Sequence, residues 1–334
     1  MSSLKSSQPT AATEKALYFL DNSPYGTSIV AVALADDGTL STPKRTLING
    51  VGVLGLRVSR PSVMDSLFSQ DSVVVDGNLL FTISPGPLAN RLAYSRELGL
   101  LCVVNSGHIG GVSTFRVNDI GSENPGLEPL GDIFPLPISQ PGDIVFNPSQ
   151  SSLFVLLKFN GVAQSPGSIF SFPVDKKARN LVPAPVQSRP AGLLAPYSIT
   201  FLDNDDTQAV VSDAVFGATF IKVSYPSLEA TTTKSVVISV TSAPCWTVYA
   251  EKLEIVFLLA VFDPAPIAVD VEKQDIKYTI SAPPETLGGF DSVVYGDYLY
   301  VLQGSAGISV FKIDADGWKL VQNLNLTSLG SRQG

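Results

Sequence analysis

Histidine, cysteine and charge are all scarce in this chain. Its 334 residues include one histidine and two cysteines, too few for most zinc sites, for a multi-histidine metal centre or for a disulfide scaffold. Only 16% of the residues are charged, and 30 acidic residues against 22 basic ones give a net charge of -8. This negative charge repels phosphate backbones and anionic lipids. We therefore expect no metal, no nucleic acid and no membrane among the partners.

Long apolar runs are missing too, since none approaches the roughly 18 residues of a membrane span. The first 14 residues are rich in serine, threonine and alanine and lack the apolar segment of a signal peptide. We expect a disordered tail over 1–14 and a cytoplasmic protein, or a secreted one if a leader was removed. No linker divides the remainder, which predicts one domain over 15–328 and a C-terminal tail over 329–334.

The helical period of 3.6 residues is almost absent, whereas short runs of Val, Ile, Phe and Tyr recur between turn residues. Residues 72–75, the turn at Asp76 and Gly77, and residues 79–82 read as a strand, a tight turn and a second strand. The same order returns along the chain, mostly followed by a third strand with alternating apolar residues. The sequence therefore predicts an all-β protein built from repeated sheets.

The spacing of the repeats indicates the architecture. Successive second strands from Leu100 onward begin 53, 56, 46 and 44 residues apart, which is typical of a four-stranded propeller blade. Only 21 positions separate Leu79 from Leu100, so one repeat has lost its outer strands. We predict a β-propeller of seven blades with one abbreviated, and six blades is the alternative. Because the ring must close, the N-terminal strand over 15–20 is expected to complete the last blade, beside the region after Phe311.

Several segments resemble a known family. They are 17–23 (LYFLDNS), 35–40 (ADDGTL), 67–75 (LFSQDSVVV), 98–105 (LGLLCVVN) and 244–246 (PCW). In these segments the chain resembles fungal members of the lactonase-like β-propeller family, often labelled 3-carboxymuconate cyclase-like or 6-phosphogluconolactonase-like. The resemblance extends over most of the chain, from about Ala16 to Leu324, and implies the propeller fold.

The resemblance implies different activities for different branches of the family. Relatives that cyclise muconates or hydrolyse phosphogluconolactone use clustered Arg, His and Glu around an anionic substrate, and a lone His108 cannot form such a cluster. The chain is also similar to fungal propellers of specialised metabolism, including hetero-Diels-Alderases that join a tropolone-derived quinone methide to a cyclic terpene. This similarity implies a cyclase or pericyclase that needs no cofactor and acts on a neutral polyketide- or terpene-like molecule.

The candidate site residues are those expected at one mouth of the central channel. The residues before each innermost strand converge there, and the loops between second and third strands join them. The set is rich in aromatic and amide groups, which suits a neutral unsaturated molecule held by stacking and dispersion. The candidate catalytic residues are Tyr197, Gln70, Arg91, His108 and Lys158. The candidate substrate-binding residues are Phe68, Gln140, Trp246, Phe290, Asp291, Asp213 and Gln303.

Two other functions stay open at the level of sequence. A lactone hydrolase or lactonising enzyme would use His108, Asp213 or Asp291 as its base. A non-enzymatic propeller would bind a ligand or another protein, as this fold often does.

Three further patterns have simpler interpretations. The glycine string over 50–55 matches a dinucleotide fingerprint, but no helical pattern follows it, so we expect no cofactor. Cys102 and Cys245 fall on separate repeats and are expected to be buried thiols. The acidic run over 203–206 is expected to form a turn rather than a metal site.

Overall fold

The computed structural model describes most of the chain. The described residues are 15–23, 26–48, 56–57, 60–61, 72–77, 79–82, 89–105, 110–120, 126–159, 162–238, 243–282, 286–304 and 307–329. The predicted N-terminal tail over 1–14, the glycine string over 50–55 and residues 330–334 lie outside them.

Antiparallel strands account for nearly all of the regular structure. The first sheet contains β1 (Ala16–Ser23), β2 (Gly26–Ala33) and β3 (Lys44–Leu47). Two hairpins follow, the first of β4 (Leu56–Arg57) and β5 (Arg60–Pro61), the second of β6 (Val73–Asp76) and β7 (Leu79–Thr82). These elements confirm the predicted all-β class.

Five larger sheets make up the rest of the chain. The next sheet contains β8 (Ala89–Ser95), β9 (Leu100–Asn105), β10 (Gly111–Asn118) and β11 (Gly126–Pro135). It is followed by β12 (Pro141–Phe146), β13 (Ser152–Leu157), β14 (Ser168–Asp175), β15 (Asn180–Leu181) and β16 (Val186–Ser188). Then come β17 (Pro196–Phe201), β18 (Gln208–Asp213), β19 (Gly217–Ser224) and β20 (Glu229–Val237). The next four are β21 (Pro244–Ala250), β22 (Ile255–Ala260), β23 (Ile267–Asp270) and β24 (Asp275–Thr279). The last sheet contains β25 (Gly289–Tyr295), β26 (Tyr298–Gln303), β27 (Gly307–Ile313) and β28 (Trp318–Asn325), and short 3-10 helices cover Glu251–Leu253 and Thr327–Leu329.

Within the described residues, the six sheets of three or more strands form a six-bladed β-propeller, the alternative that the sequence left open beside seven blades. The hairpin of β6 and β7 occupies the place predicted for the abbreviated blade. It lies between β1 and β8, and its Leu79 and Phe81 pack against Leu92 and Leu101 of the following blade. Because two strands alone make a marginal sheet, this hairpin depends on its neighbours for burial.

The predicted closure of the ring by the N-terminal strand is wrong. Strand β1 pairs with β2, and the fourth strand of the last blade is β28. The first and last blades instead meet through side chains. Gln322 exchanges hydrogen bonds of 2.7 and 3.0 Å with the backbone of Leu40, and the Tyr300 hydroxyl donates to the carbonyl of Gly38 at 3.0 Å. The C-terminal segment supplies all four strands of its own blade, so β1 begins a separate one.

The second strands of the blades lie in the middle of the core. Every residue of β13 and of β22 is buried, because each of these sheets packs against a neighbouring blade on both faces. This explains why SLFVLL and IVFLLA are continuous apolar runs rather than alternating ones. Each fully buried Leu, Ile or Phe contributes about 1.5–3 kcal/mol of transfer free energy. The inter-blade contacts therefore provide the main stabilisation of the ring.

The first strand of each larger sheet, here called an inner strand, lies next to the axis and contains a bulge near its start. The inner strands are β8, β12, β17, β21 and β25. Their pairing with the second strands shifts register after Ala89, Pro141, Pro196, Pro244 and Gly289, respectively. A bulge bends a strand and changes which side chains point to each face. The repeated bulge determines which residues face the central channel.

Candidate functional site

A cavity of about 450 Å³ occupies the centre of the ring. The face at which the inner strands begin is called the upper face here, and the face at which they end is the lower face. The cavity is lined by Val74, Leu92, Ala93, Tyr94, Asp143, Ile144, Val145, Phe146, Pro148, Ser198, Ile199, Thr200, Phe201, Trp246, Thr247, Asp291 and Ser292. No described lining residue comes from the first two positions of an inner strand, and Pro148 lies in a turn of the lower face. The cavity therefore extends towards the lower face.

Aromatic rings form much of the cavity wall. Tyr94, Phe146 and Phe201 come from the lower halves of three inner strands, and Trp246 lies higher on a fourth. The Trp246 ring packs edge-on against Phe290, with centroids 5.5 Å apart and planes at 67°. Burial raises the pKa of Tyr94, so its phenol stays protonated and can donate a hydrogen bond. This wall can hold an unsaturated ligand by stacking and dispersion.

Beside the aromatic rings, three hydroxyl groups form a polar patch in the cavity wall. The Thr247 hydroxyl lies 2.5 Å from that of Ser198 and 2.7 Å from that of Thr200. The Thr247 backbone N–H donates to the Ser198 hydroxyl at 2.9 Å, which ties β21 to β17. All three residues line the cavity. The patch can donate to or accept from an uncharged oxygen of a ligand without placing a net charge there.

A buried ion pair lies at the upper end of the cavity. Arg91 is 1% exposed, and its Nη1 lies 3.1 Å from Oδ1 of Asp143. The same Nη1 donates to the carbonyl of Tyr197 at 3.2 Å, and Oδ2 of Asp143 accepts from the N–H of Ile199 at 2.9 Å. These contacts tie three inner strands together. Because Arg91 neutralises the carboxylate of Asp143, this end of the cavity carries little net charge.

Three more of the predicted residues gather beside this ion pair. Nζ of Lys158 lies 3.8 Å from the ring centroid of Tyr197, which is a close cation–π contact, and Lys158 is only 8% exposed. The backbone N–H of Lys158 donates to the carbonyl of Gln140 at 3.0 Å. The structure thus brings Arg91, Tyr197, Lys158 and Gln140 together above the cavity, and none of these four lines it. Their catalytic and binding roles stay predictions.

Asp213 and Gln303 face the protein interior instead of the cavity. Both carboxylate oxygens of Asp213 accept backbone hydrogen bonds, Oδ2 from Leu194 and Ala195 at 2.6 and 3.0 Å and Oδ1 from Val215 at 2.9 Å. Burial raises the pKa of Asp213, and these hydrogen bonds offset part of that rise. Gln303 is fully buried and donates to the Ser309 hydroxyl at 3.2 Å. Asp213 thus holds its strand to the adjacent connecting loops, and Gln303 holds its strand to the next one.

Two of the predicted residues line the cavity. They are Trp246 and Asp291, and the Asp291 carboxylate accepts from the N–H of Ser292 at 2.7 Å. Phe290 supports the Trp246 ring from behind. The candidates Phe68, Gln70 and His108 lie outside the described residues.

Sequence reasoning missed most of the polar cavity wall. Asp143, Ser198, Thr200, Thr247 and Ser292 were not candidates, although all of them line the cavity. A signal was present. Each of these inner strands begins with Pro or Gly, and the polar residue two or three positions later lies in the bulge or just after it and lines the cavity.

Two further findings concern the described part of the chain. Within it, no three His, Cys, Asp or Glu side chains are grouped closely enough to hold a metal ion, and the acidic run over 203–206 forms a turn. No helix in the same residues is long and apolar enough to cross a membrane. Cys102 and Cys245 are both buried free thiols, as predicted.

Comparison with known proteins gives the fold alone. No family model matches the chain, and no curated protein matches its sequence. Among solved structures, a chain of a nidogen/laminin complex aligns with a TM-score of 0.55 and 9% identity, covering 93% of each chain. A chain of Kuenenia stuttgartiensis hydrazine synthase aligns with a TM-score of 0.52 and 14% identity, covering 75% of this chain and 70% of the other. These similarities and the structure agree on a β-propeller.

Proposed function

We propose that this protein is a cofactor-independent cyclase or pericyclase that holds a neutral, unsaturated, polyketide- or terpene-like molecule in its central cavity. The observation that carries the proposal is the composition of the cavity wall. Aromatic and aliphatic side chains dominate it, and its polar part includes a connected patch of three hydroxyls beside Ser292, Asp291 and the Asp143 carboxylate that Arg91 neutralises. The volume of about 450 Å³ lies within the usual range of roughly 300–1,000 Å³ for small-molecule sites.

A site of this kind accelerates a cyclisation chiefly by positioning. Holding two reacting groups in a near-attack geometry can remove about 7–11 kcal/mol of barrier in favourable cases. Thr247 and Ser198 can donate a hydrogen bond to a carbonyl of the electron-poor partner and so stabilise the charge that develops in the transition state. Neither contribution requires a proton to move between enzyme and substrate.

Three lining residues also carry polar atoms that a ligand oxygen would complement. The Tyr94 hydroxyl, the Trp246 indole N–H and the Ser292 hydroxyl are buried without a hydrogen-bond partner among the described residues. Buried polar groups usually have partners, so unpartnered ones cost stability. Their position beside the cavity supports a ligand with oxygen atoms along an otherwise apolar skeleton.

The test is a cycloaddition assay with an in situ generated ortho-quinone methide and a cyclic terpene alkene. We expect a faster reaction than in buffer and a single product stereoisomer. Thr247→Val keeps the side-chain shape and removes the central hydroxyl, and should lower the rate about 100-fold if that donor stabilises the transition state. Thr231→Val, an exposed residue outside the cavity, is the matched control. Rates and stereoisomer ratios equal to those in buffer would reject the proposal.

A lactone hydrolase is the second candidate, because two carboxylates line the cavity. Asp143 is held by Arg91, whereas Asp291 belongs to the predicted set of bases. Asp291→Asn should abolish hydrolysis of neutral lactones if Asp291 is the general base, and should leave a cycloaddition nearly unchanged. Assaying one variant with both substrate classes distinguishes the two functions.

A further inference from the structure

Two hydrogen-bond donors of the cavity wall lie on neighbouring inner strands. Trp246 of β21 and Ser292 of β25 both line the cavity, and the two strands are in contact. Each donor lies just after the bulge of its strand, Trp246 as the first residue paired after it and Ser292 as the second. The Trp246 ring packs edge-on against Phe290 of β25, with the ring centroids 5.5 Å apart. The two side chains therefore lie at nearly the same level of the wall, in the upper half of the cavity.

Neither donor is used within the part of the chain that the structure describes. The indole N–H of Trp246 and the hydroxyl of Ser292 are buried there without a hydrogen-bond partner, and Trp246 is only 5% exposed. The hydroxyls of Ser198, Thr200 and Thr247, in contrast, bond to one another. A buried donor without an acceptor is costly, so such groups usually have a protein, water or ligand partner. The indole N–H can only donate, so its partner must be an acceptor.

We propose that Trp246 and Ser292 form a subsite for one carbonyl oxygen of the ligand, and that the ligand is a conjugated ketone. A carbonyl oxygen has two lone pairs and can accept from both donors. The unsaturated carbon skeleton then extends towards the lower face, where Phe146 and Phe201 end their strands and line the cavity. The inference rests on the proposed function in one respect, namely that the central cavity binds a small unsaturated molecule.

The neighbouring charges favour a neutral oxygen over an anionic one. Asp291 precedes Ser292 and lines the same cavity, and its Oδ1 accepts from the Ser292 backbone N–H at 2.7 Å. A ligand carboxylate or phosphate would lie close to this carboxylate and be repelled by it. Arg91 is already paired with Asp143, and the one further positive charge beside that pair, Lys158, is balanced by Asp291. An ammonium group is unsuitable as well, because it has no lone pair for the indole N–H.

Binding through the carbonyl both orients the ligand and activates it. Two donors on one carbonyl oxygen draw electron density from the conjugated double bond. Their hydrogen bonds strengthen as negative charge develops on that oxygen in the transition state. No proton is transferred, since the indole N–H stays a donor throughout. Thr247 follows Trp246 in β21 and also lines the cavity, so the hydroxyl patch is adjacent to this subsite.

Equilibrium dialysis with two matched probes tests the subsite. α-Tetralone has a conjugated ketone, and tetralin has the same fused-ring skeleton without the oxygen. We expect each donor to contribute about fivefold to the preference of the protein for α-tetralone over tetralin, which is the typical net effect of one hydrogen bond. Ser292→Ala and Trp246→Phe should each lower this preference about fivefold. Because the preference is a ratio of two affinities, packing that is lost with the indole affects both probes and largely cancels.

Two substitutions outside the cavity wall serve as matched controls. They are Ser235→Ala, at an exposed serine of β20, and Trp318→Phe, where the ring packs against Phe311 of the last blade. Both should keep the wild-type preference. Infrared difference spectra of α-tetralone with an isotope label at the carbonyl give a second readout. The carbonyl stretch should lie at lower frequency in the wild-type complex than in hexane, and each donor variant should reverse part of this shift. Circular dichroism verifies that all four variants are folded.

The possible outcomes separate this inference from the proposed function. Equal affinity of the wild type for both probes would overturn the subsite, since water alone would then serve the two donors. A preference that both donor variants leave unchanged would overturn it too. Protein that prefers α-tetralone as predicted but does not accelerate the cycloaddition would keep the subsite and reject the proposed function. Protein that accelerates the cycloaddition and shows no such preference would reject the subsite alone.

Discussion

The two ends of the central channel are built in opposite ways. At the upper end, Arg91 and Asp143 form a buried ion pair across two inner strands, and the strands approach so closely that a Cβ on Gly142 would collide with the Pro196 carbonyl. At the lower end, the rings of Tyr94, Phe146 and Phe201 surround open space. The upper end fixes the inner strands relative to each other, and the lower end provides room for a ligand.

This comparison shows how the inner strands can be fixed relative to each other at the upper end and still leave room for a ligand at the lower end. Each inner strand has its bulge in the upper half, where the pairing with the second strand shifts by one residue. The lower halves pair regularly and present alternate side chains to the axis. Irregular backbone is therefore confined to the end that is locked by side-chain contacts. Variants at the upper end should mainly change stability, whereas variants in the lower half of the cavity should mainly change binding.

The largest effect should come from breaking the buried ion pair. Asp143→Ala leaves the Arg91 guanidinium buried without its carboxylate, which typically costs about 3–5 kcal/mol of unfolding free energy. Lys176→Ala is the matched control, because the Lys176–Glu97 pair is half exposed at 2.9 Å and such pairs contribute about 1 kcal/mol or less. Urea unfolding of both variants measures the difference.

The double variant Arg91→Met with Asp143→Leu completes this comparison. It removes both charges, so we expect much of the lost stability to return. Equal losses for Asp143→Ala and Lys176→Ala would show that the ion pair does not hold the upper end together.

A smaller loss of unfolding free energy is expected when a side chain is added where two inner strands are in close contact. Gly142→Ala forces β12 away from the Pro196 carbonyl, and overpacking of this kind costs about 1–3 kcal/mol. Gly317→Ala, where no atom lies within 4 Å of the added Cβ, is the control and should be nearly neutral. Thermal unfolding distinguishes them. Similar melting temperatures for the two variants would mean that the inner strands can separate at little cost.

The strands themselves could be predicted from the sequence. Apolar runs such as 153–157 and 255–260 have strong β preference and end at turn residues, and the structure places β13 and β22 there. The spacing of these runs along the chain predicted the propeller fold. The closure of the ring could not be read in this way, because strand β1 looks the same whether it pairs with β2 alone or also with the last blade.

The cavity wall was harder to predict than the fold. A regular strand alternates its faces, so the parity of a residue indicates whether it faces the axis. A bulge after Pro141 or Pro196 changes that parity, and sequence alone does not locate the extra residue. This is why Asp143 and Ser198 were missed. Trp246 was found because the prediction took the residue just before each innermost strand, and in β21 that residue lines the cavity.

The smallest predicted effect is on the pH dependence of the unfolding free energy. Carboxylates near the two faces should contribute to it with opposite signs. Asp213, beside the upper-face connections, has its pKa raised by burial. Asp205, in a lower-face turn, has its pKa lowered, first by the backbone N–H of Thr207 at 2.8 Å.

A raised pKa means that the native state holds its proton more tightly than the unfolded state, so the Asp213 contribution to stability falls as pH rises from its ordinary pKa towards the raised one. A lowered pKa has the opposite sign, and the Asp205 contribution is lost as pH falls below its ordinary value. The unfolding free energy of the wild type, relative to Asp213→Asn, should therefore decrease as pH rises from the ordinary aspartate pKa of about 4 through the raised one, and then stay constant. Relative to Asp205→Asn it should increase as pH rises from the lowered pKa of Asp205 to just above the ordinary aspartate value of about 4. If the Asp213 difference instead grew with pH, the three backbone N–H groups would outweigh the cost of burying the charge. The upper end would then be stabilised by its carboxylates in the same way as the lower turns.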